Sequence, residues 1–240
     1  MKKYVNLFVF VFMIGACLSQ GRAQTKSAVS YKNPVVDIAM PDPTVIKAAD
    51  GYFYVYATES TRNVPIMKSK DLVEWTYCNT AFTNKTRPRF EPKAGIWAPD
   101  INYINGKYVL YYAMSVWGGE QTCGIGVATA NSPQGPFTDH GKMFRSNEIG
   151  VQNSIDPSLL QYEGRNYLVW GSFRGIYVIE LTADGLSIMS GAKKKRIAGT
   201  AFEAVYIHKH GDYYYMFASI GSCCEGIRST YKVVVGRSKK

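Results

Sequence analysis

The chain has 240 residues, 46% of them hydrophobic, with Tyr 18, Phe 11, Trp 4 and Gly 22. This excludes a disordered or collagen-like polypeptide and supports a sizeable core. The formal net charge of +10 falls to +7 once Lys2, Lys3 and Arg22 are set aside with the leader, and no basic stripe within a recognisable module points to nucleic acid.

In chain order, the first element is an export signal over residues 1–23. Lys2 and Lys3 form a positive n-region, and the apolar run from Leu7 to Ala16 is too short for a bilayer, which needs roughly 20 apolar residues. Two cleavage sites compete. Gly21-Arg22-Ala23 has the small-x-small pattern of ordinary secretion, whereas Ile14-Gly15-Ala16-Cys17 resembles a lipoprotein box in which Cys17 carries a lipid. Both place the mature protein outside the cytoplasm: periplasmic, outer-surface or extracellular. Membrane association is expected only through Cys17.

From residue 31 to 240 the sequence repeats one plan: a carboxylate, a short strand, a Gly-centred turn and an aromatic strand. The four copies start at Asp42, Asp100, Asp156 and Glu203, and their turns are Asp50-Gly51, Asn105-Gly106, Glu163-Gly164 and His210-Gly211. Asp-Gly and Asn-Gly suit hairpins because their positive φ angles match strand twist. A third strand is expected at 64–69, 124–129, 175–181 and 231–237, and outer strands at 75–78 and 136–139. Carboxylate-to-carboxylate steps of 58, 56 and 47 residues predict blades of an all-β propeller. The fourth unit ends without an outer strand, so the expectation is a propeller domain incomplete at its C-terminus. A complete four-bladed ring is the alternative.

In a propeller the first strands line the axis, so their leading carboxylates converge at one mouth. Crowded carboxylates drive their pKa values apart, which lets one stay protonated while another ionises. Acetal hydrolysis needs this pairing of acid and base. Each residue also has a plainer reading. Asp42-Pro43 and Asp156-Pro157 suit turns, and Asp100, after Trp97-Ala98-Pro99, suits a structural post as well as a chemical one. Glu203, between Phe202 and Ala204, is harder to explain without function, because an inward carboxylate is costly.

The remaining chemistry-bearing residues are sparse. The run Lys193-Lys194-Lys195-Arg196 reads as a solvated loop with, at most, a weak attraction to acidic wall polymers. No Cys or His spacing fits zinc. Cys223 and Cys224 are adjacent, so bonding them demands a strained ring, whereas an oxidising compartment permits a Cys78–Cys123 bridge. His140, His208 and His210 read as solvated or turn residues.

Five stretches together resemble glycoside hydrolase family 43, and within it the arabinan endo-1,5-α-L-arabinosidases. They are Met40-Pro41-Asp42-Pro43, Ile96-Trp97-Ala98-Pro99-Asp100-Ile101, Gln152-Asn153-Ser154-Ile155-Asp156-Pro157-Ser158, Ala201-Phe202-Glu203-Ala204 with Tyr206-Ile207, and Gly221-Ser222-Cys223-Cys224-Glu225-Gly226 leading to Ser229-Thr230-Tyr231-Lys232. The resemblance implies a five-bladed propeller, of which this chain supplies about four blades, that hydrolyses α-1,5-L-arabinan with inversion. It implies Asp42 as general base, Glu203 as general acid and Asp156 as the residue that raises and orients the acid. Trp97 is similar to a sugar-stacking aromatic, and Asn153 and Ser154 to polar groups near the reacting ring. Phe173 and Trp117 add stacking surface. The implied partner is plant cell-wall polysaccharide, the arabinan side chains of pectin. The family often holds an axial calcium ion through a fifth-blade histidine and waters. None of the three histidines here matches that motif, so no metal ligand is expected from this chain. Two other functions compete: an exo-acting α-L-arabinofuranosidase or β-xylosidase of the same fold, and a non-catalytic glycan-binding propeller tethered through Cys17.

Overall fold

The computed structural model describes residues 30–239, so the leader, Cys17 and its cleavage sites lie outside the described residues. One compact unit begins at Lys32. It consists of four antiparallel sheets in chain order. Blade 1 is β1 (Thr44–Lys47), β2 (Phe53–Tyr56), β3 (Pro65–Ser69) and β4 (Trp75–Thr80). Blade 2 is β5 (Gly95–Ile104), β6 (Lys107–Ser115), β7 (Gly124–Ala130) and β8 (Thr138–Arg145), followed by the short helix α1 (Ser146–Ile149). Blade 3 is β9 (Ser158–Tyr162), β10 (Arg165–Trp170), β11 (Ile176–Glu180) and β12 (Lys195–Ala198). Blade 4 has three strands, β13 (Glu203–His210), β14 (Tyr213–Ile220) and β15 (Lys232–Ser238). Each blade is a plain meander, with the first strand innermost.

The apolar pattern explains the stacking. Strand β6 is apolar on both faces, because a middle blade is covered on both sides. Its Tyr108, Leu110, Tyr112 and Met114 join Tyr54, Tyr56, Ile66 and Phe82 of blade 1. Val109 and Tyr111 point the other way, into a cluster with Leu159, Leu168 and Trp170 of blade 3. A third cluster, with Val169, Ile176, Val205 and Ala218, joins blades 3 and 4. On blade 4, Tyr206, Val233 and Val235 are exposed.

The innermost strands are also clasped by polar contacts that recur from blade to blade. Thr44 Oγ1 accepts from the Ile101 amide at 3.3 Å, and Asp100 Oδ2 accepts from the Leu159 amide at 2.8 Å. Ser158 Oγ donates to the Val205 carbonyl at 2.6 Å. Thr44, Asp100 and Ser158 are therefore equivalent positions of successive blades. Their partners are backbone groups of the next innermost strand, which a propeller leaves unpaired on that side.

Three expectations need correction. The basic run of residues 193–196 is not simply a loop: Lys195 and Arg196 open β12, which forms the outer strand of blade 3. It remains solvated, and charged side chains on an outer edge discourage pairing with a second sheet. Second, Cys223 and Cys224 are disulfide-bonded, whereas Cys78 and Cys123 are free. Cys224 takes φ +68, the left-handed backbone of a tight turn, while Cys78 and Cys123 pack in different clusters. Third, the four carboxylates are not at equivalent points. The equivalent residue with left-handed φ, two positions ahead of β1 and β9 and inside β5 and β13, is Asp42 (φ 49), Ala98 (φ 41), Asp156 (φ 56) and Ala204 (φ 50). Asp100 lies two residues further on and Glu203 one residue earlier. Irregular pairing at Trp97/Asp100 and Glu203/Tyr206 accompanies these alanines.

Candidate active site

Asp42 and Asp156 sit two positions ahead of their strands in left-handed backbone that L-residues other than Asn and Asp seldom adopt. Asp42 is exposed. The Thr58 hydroxyl, just beyond the end of β2, donates to Asp42 Oδ2 at 2.5 Å, and the Ala98 amide of blade 2 donates to Thr58 Oγ1 at 2.7 Å. Asp42 is thus oriented by the neighbouring blade through one hydroxyl. Its other oxygen makes no hydrogen bond among the described residues.

Asp156 is half-buried, and the Ala204 amide donates to its Oδ2 at 3.2 Å. Its pKa lies well above the usual carboxylate range. Burial is the main cause, followed by the negative charges of Glu203 and Asp42, with the Ala204 amide opposing. Asp156 therefore lies within electrostatic reach of both other carboxylates, and residues 42, 156 and 203, far apart in sequence, share one mouth.

Glu203 is 8% exposed. The Ser172 hydroxyl donates to its Oε2 at 2.6 Å, and Ser172 and Glu203 also meet through an isolated backbone bridge. Ser172 is held in turn by Asn153 Nδ2, which donates to its Oγ at 3.0 Å and its carbonyl at 3.1 Å. Tyr231 lies near both Glu203 and Ser219. Burial raises the Tyr231 pKa; Ser219 lowers it, and the Glu203 carboxylate raises it further.

Asp100 does not join this set. It is 7% exposed between blades, where its carboxyl group accepts from Asn102 Nδ2 at 2.7 Å, the Leu159 amide and the Thr44 hydroxyl. Burial raises its pKa to about 6 against the lowering effect of those three donors. It is a clasp between blades.

The stacking residues are mixed in placement. Trp97 is half-buried against Ala113, Cys123 and Ile155, and its ring meets that of Trp117 edge-on at 6.3 Å. Trp117 is 81% exposed, the largest open aromatic surface beside the mouth. Phe173 is half-buried with φ 49, its amide bonded to the Phe202 carbonyl at 3.0 Å. Asn153 spends its amide on Ser172, so it acts on Glu203 at one remove. Ser154 needs correction as a sugar contact. It is fully buried, donating to the Val151 carbonyl at 2.8 Å and accepting from Trp170 Nε1 at 3.1 Å, and it offers no surface to a ligand.

Sequence reasoning missed Thr58, Ser172 and the role of Tyr231. Ser172 carries a faint signal, since Gly171-Ser172-Phe173-Arg174-Gly175 is a polar, glycine-flanked link just after an apolar strand. Thr58 and Ser172 act across large sequence separations, which periodicity cannot register. Among the described residues no group of three or more His, Cys, Asp or Glu side chains is placed to hold a metal ion. His140 bonds to Thr129 Oγ1 at 2.7 Å and His208 stacks on Tyr206.

Comparison with known proteins bears on this site. The family model described as Glycosyl hydrolases family 43 matches residues 31–240. The chain is 37% identical over 211 residues to the extracellular endo-α-(1→5)-L-arabinanase 1 of Bacillus subtilis, covering 82% of this chain and 64% of that protein. It is 35% identical over 227 residues to the extracellular exo-α-(1→5)-L-arabinofuranosidase ArbA of Cellvibrio japonicus, covering 83% and 64%. The structure of Cellvibrio cellulosa α-L-arabinanase complexed with arabinohexaose superposes with a TM-score of 0.75 at 31% identity, covering 85% of this chain and 71% of that one. These arabinanase structures are five-bladed propellers, and the chain spans a little under two thirds of the length of the curated relatives it matches.

Proposed function

Because the chain belongs to glycosyl hydrolases family 43, we propose that its carboxylate mouth hydrolyses α-1,5-linked L-arabinan by an inverting acid–base mechanism. The observation that carries this reading is the electrostatic contact of Asp156 with both Glu203 and Asp42. Burial and the negative charges of Glu203 and Asp42 hold the Asp156 pKa well above the usual carboxylate range, so the site favours a bound proton.

Each residue then has a role that its surroundings support. Glu203, held by the Ser172 hydroxyl, delivers a proton to the glycosidic oxygen as the bond to the anomeric carbon breaks. Asp42, exposed and steadied by Thr58, takes a proton from the attacking water through its free oxygen. Asp156 keeps the proton on the acid's side of the site. An inverting reaction needs acid and base roughly 6.5–9.5 Å apart, so that water fits between base and sugar. Trp97 and Trp117 supply aromatic faces for the flanking sugars.

The test separates the two roles. Glu203→Gln should abolish hydrolysis of linear arabinan but spare an aryl arabinofuranoside whose leaving group needs no protonation. Asp42→Asn should abolish both. Wild-type cleavage of arabinan by the Glu203→Gln chain would remove the acid assignment, and retention of the anomeric configuration by NMR would remove inversion.

Endo action is the preferred form of this proposal, and the named activity of the Cellvibrio japonicus relative makes exo action the alternative. Release of arabinose alone from linear arabinan would select it. Both of these relatives are called extracellular, which supports export of this chain through the leader at residues 1–23.

A further inference from the structure

The link from β4 to β5 (residues 81–94) borders a concavity of about 380 Å3, lined in part by Arg62, Arg87, Pro88, Arg89, Lys93 and Met114. It adjoins the carboxylate site through consecutive residues. Arg87 is bonded to Glu59, whose neighbour Thr58 holds Asp42. Glu59 also accepts from the Ile96 amide at 3.0 Å, next to Trp97.

The charges around this concavity do not balance. Arg87 is neutralised by Glu59 and further bonded to Asn63 Oδ1 and the Ala94 carbonyl. Glu91, the acidic residue of the lining, is neutralised by Arg145 and accepts from Thr122 at 3.0 Å. Arg62 and Arg89 bond only to neutral oxygens of Asn84, at 3.0 and 2.9 Å. Lys93 is exposed. Among the described residues none of these three has a carboxylate partner, so the rim carries three uncompensated positive charges.

We propose that this concavity is an accessory subsite for a carboxylate-bearing sugar, a uronate, in a glycan whose neutral part lies in the catalytic mouth. The proposal rests on the glycosidase reading above and adds a charged determinant to it. Guanidinium forks pair N–H donors with the planar geometry of a carboxylate. Pro92, exposed at the rim, supplies apolar surface for the face of a sugar ring. Because the cations are exposed, the effect belongs to affinity and encounter rather than to the chemical step. The other basic run, at residues 193–196, lies on and before the outer strand β12 and provides a control of equal charge.

The experiment is calorimetric titration of the full chain with trigalacturonate at low ionic strength. Wild type should bind saturably and lose that binding as salt is raised. R62S/R89S/K93S should bind roughly tenfold more weakly, whereas K193S/K194S/K195S, with the same loss of charge, should bind as wild type does. All six side chains are exposed or half-buried, and thermal melting checks that each variant is folded. Absence of saturable binding by wild type would overturn the proposal. So would equal weakening in both variants, which is diffuse attraction, or equally tight binding of tripolyphosphate, which is plain anion capture. Hydrolysis of neutral arabinan is measured separately, so failure of the glycosidase reading leaves the uronate titration interpretable.

Discussion

Asp100→Asn isolates the electrostatic cost of the clasp between blades. The carboxyl group is 7% exposed, and its pKa is raised from 3.8 to about 6, chiefly by burial. At roughly 1.36 kcal/mol per unit, that shift is worth about 3 kcal/mol. Since the folded pKa is the higher one, the stability tied to the bound proton is fully present below the unfolded value near 3.8. It is lost as pH rises through about 6. Asparagine is neutral throughout. Both the Asn102 amide and the Leu159 amide donate to Oδ2, so an asparagine carbonyl oxygen there keeps both bonds while its amino group turns toward Thr44. The variant should match wild type near pH 4 to within the ordinary scatter of an isosteric change. It should then gain about 3 kcal/mol on wild type by pH 7 and hold that gain above it. Urea unfolding of both chains from pH 4 to 8 measures the difference, in which the titration of Asp156 and the other carboxylates cancels. Parallel stability curves would refute the assignment of Asp100 as a buried, uncompensated clasp.

Two further outcomes follow from other contacts. Ser172→Ala removes a hydroxyl that donates to Glu203 at 2.6 Å; as the acid gives up its proton in the transition state that bond becomes one to a carboxylate, worth about 1.5–3 kcal/mol, so kcat on arabinan should fall roughly ten- to a hundredfold. KM should barely change and Ser172→Thr should restore part of the rate, whereas a rise in KM at constant kcat would make Ser172 a substrate contact instead. Glu59→Gln leaves the Arg87 guanidinium buried without its carboxylate, with side-chain exposures of 7% and 10% for the pair; urea unfolding at neutral pH should record a loss of about 3–5 kcal/mol, and a loss below 1 kcal/mol would mean that solvent reaches the pair.

The repeat was legible because its signals are local. Asp50-Gly51 and Asn105-Gly106 fix hairpins through backbone torsions that their own side chains dictate, and the aromatic strands after them alternate within a few residues. Asp42, Asp156 and Glu203 could be picked out because carboxylates beside apolar strands need a reason. What stayed hidden depends on pairing at a distance. The equivalence of Asp42 with Ala98, rather than Asp100, follows from a left-handed φ and an irregular strand register, neither of which spacing reveals. Ser154 matches a motif near a sugar, yet it turns into blade 3 because the Trp170 indole needs an acceptor there. Lys195 reads as loop until the β11 edge is available to pair with it.

The backbone at the mouth explains why the site belongs to the stack of blades rather than to any one of them. Asp42, Ala98, Asn153, Asp156, Phe173 and Ala204 all have positive φ between 41 and 56, a region that costs non-glycine residues about 1–3 kcal/mol each when the surroundings must enforce it. A single meander has no means to enforce it. Three of them are held instead by a neighbouring segment: Ala98 by Thr58 of blade 1, Ala204 by Asp156 of blade 3, and Phe173 by the Phe202 carbonyl ahead of blade 4. The apolar clusters between adjacent blades supply the free energy that offsets this strain. The mouth around Asp42 and Asp156 is therefore kept in part by contacts between blades, Ala98 with Thr58 and Ala204 with Asp156. A substitution that loosens the packing between blades should consequently disturb the carboxylate geometry before it unfolds a sheet.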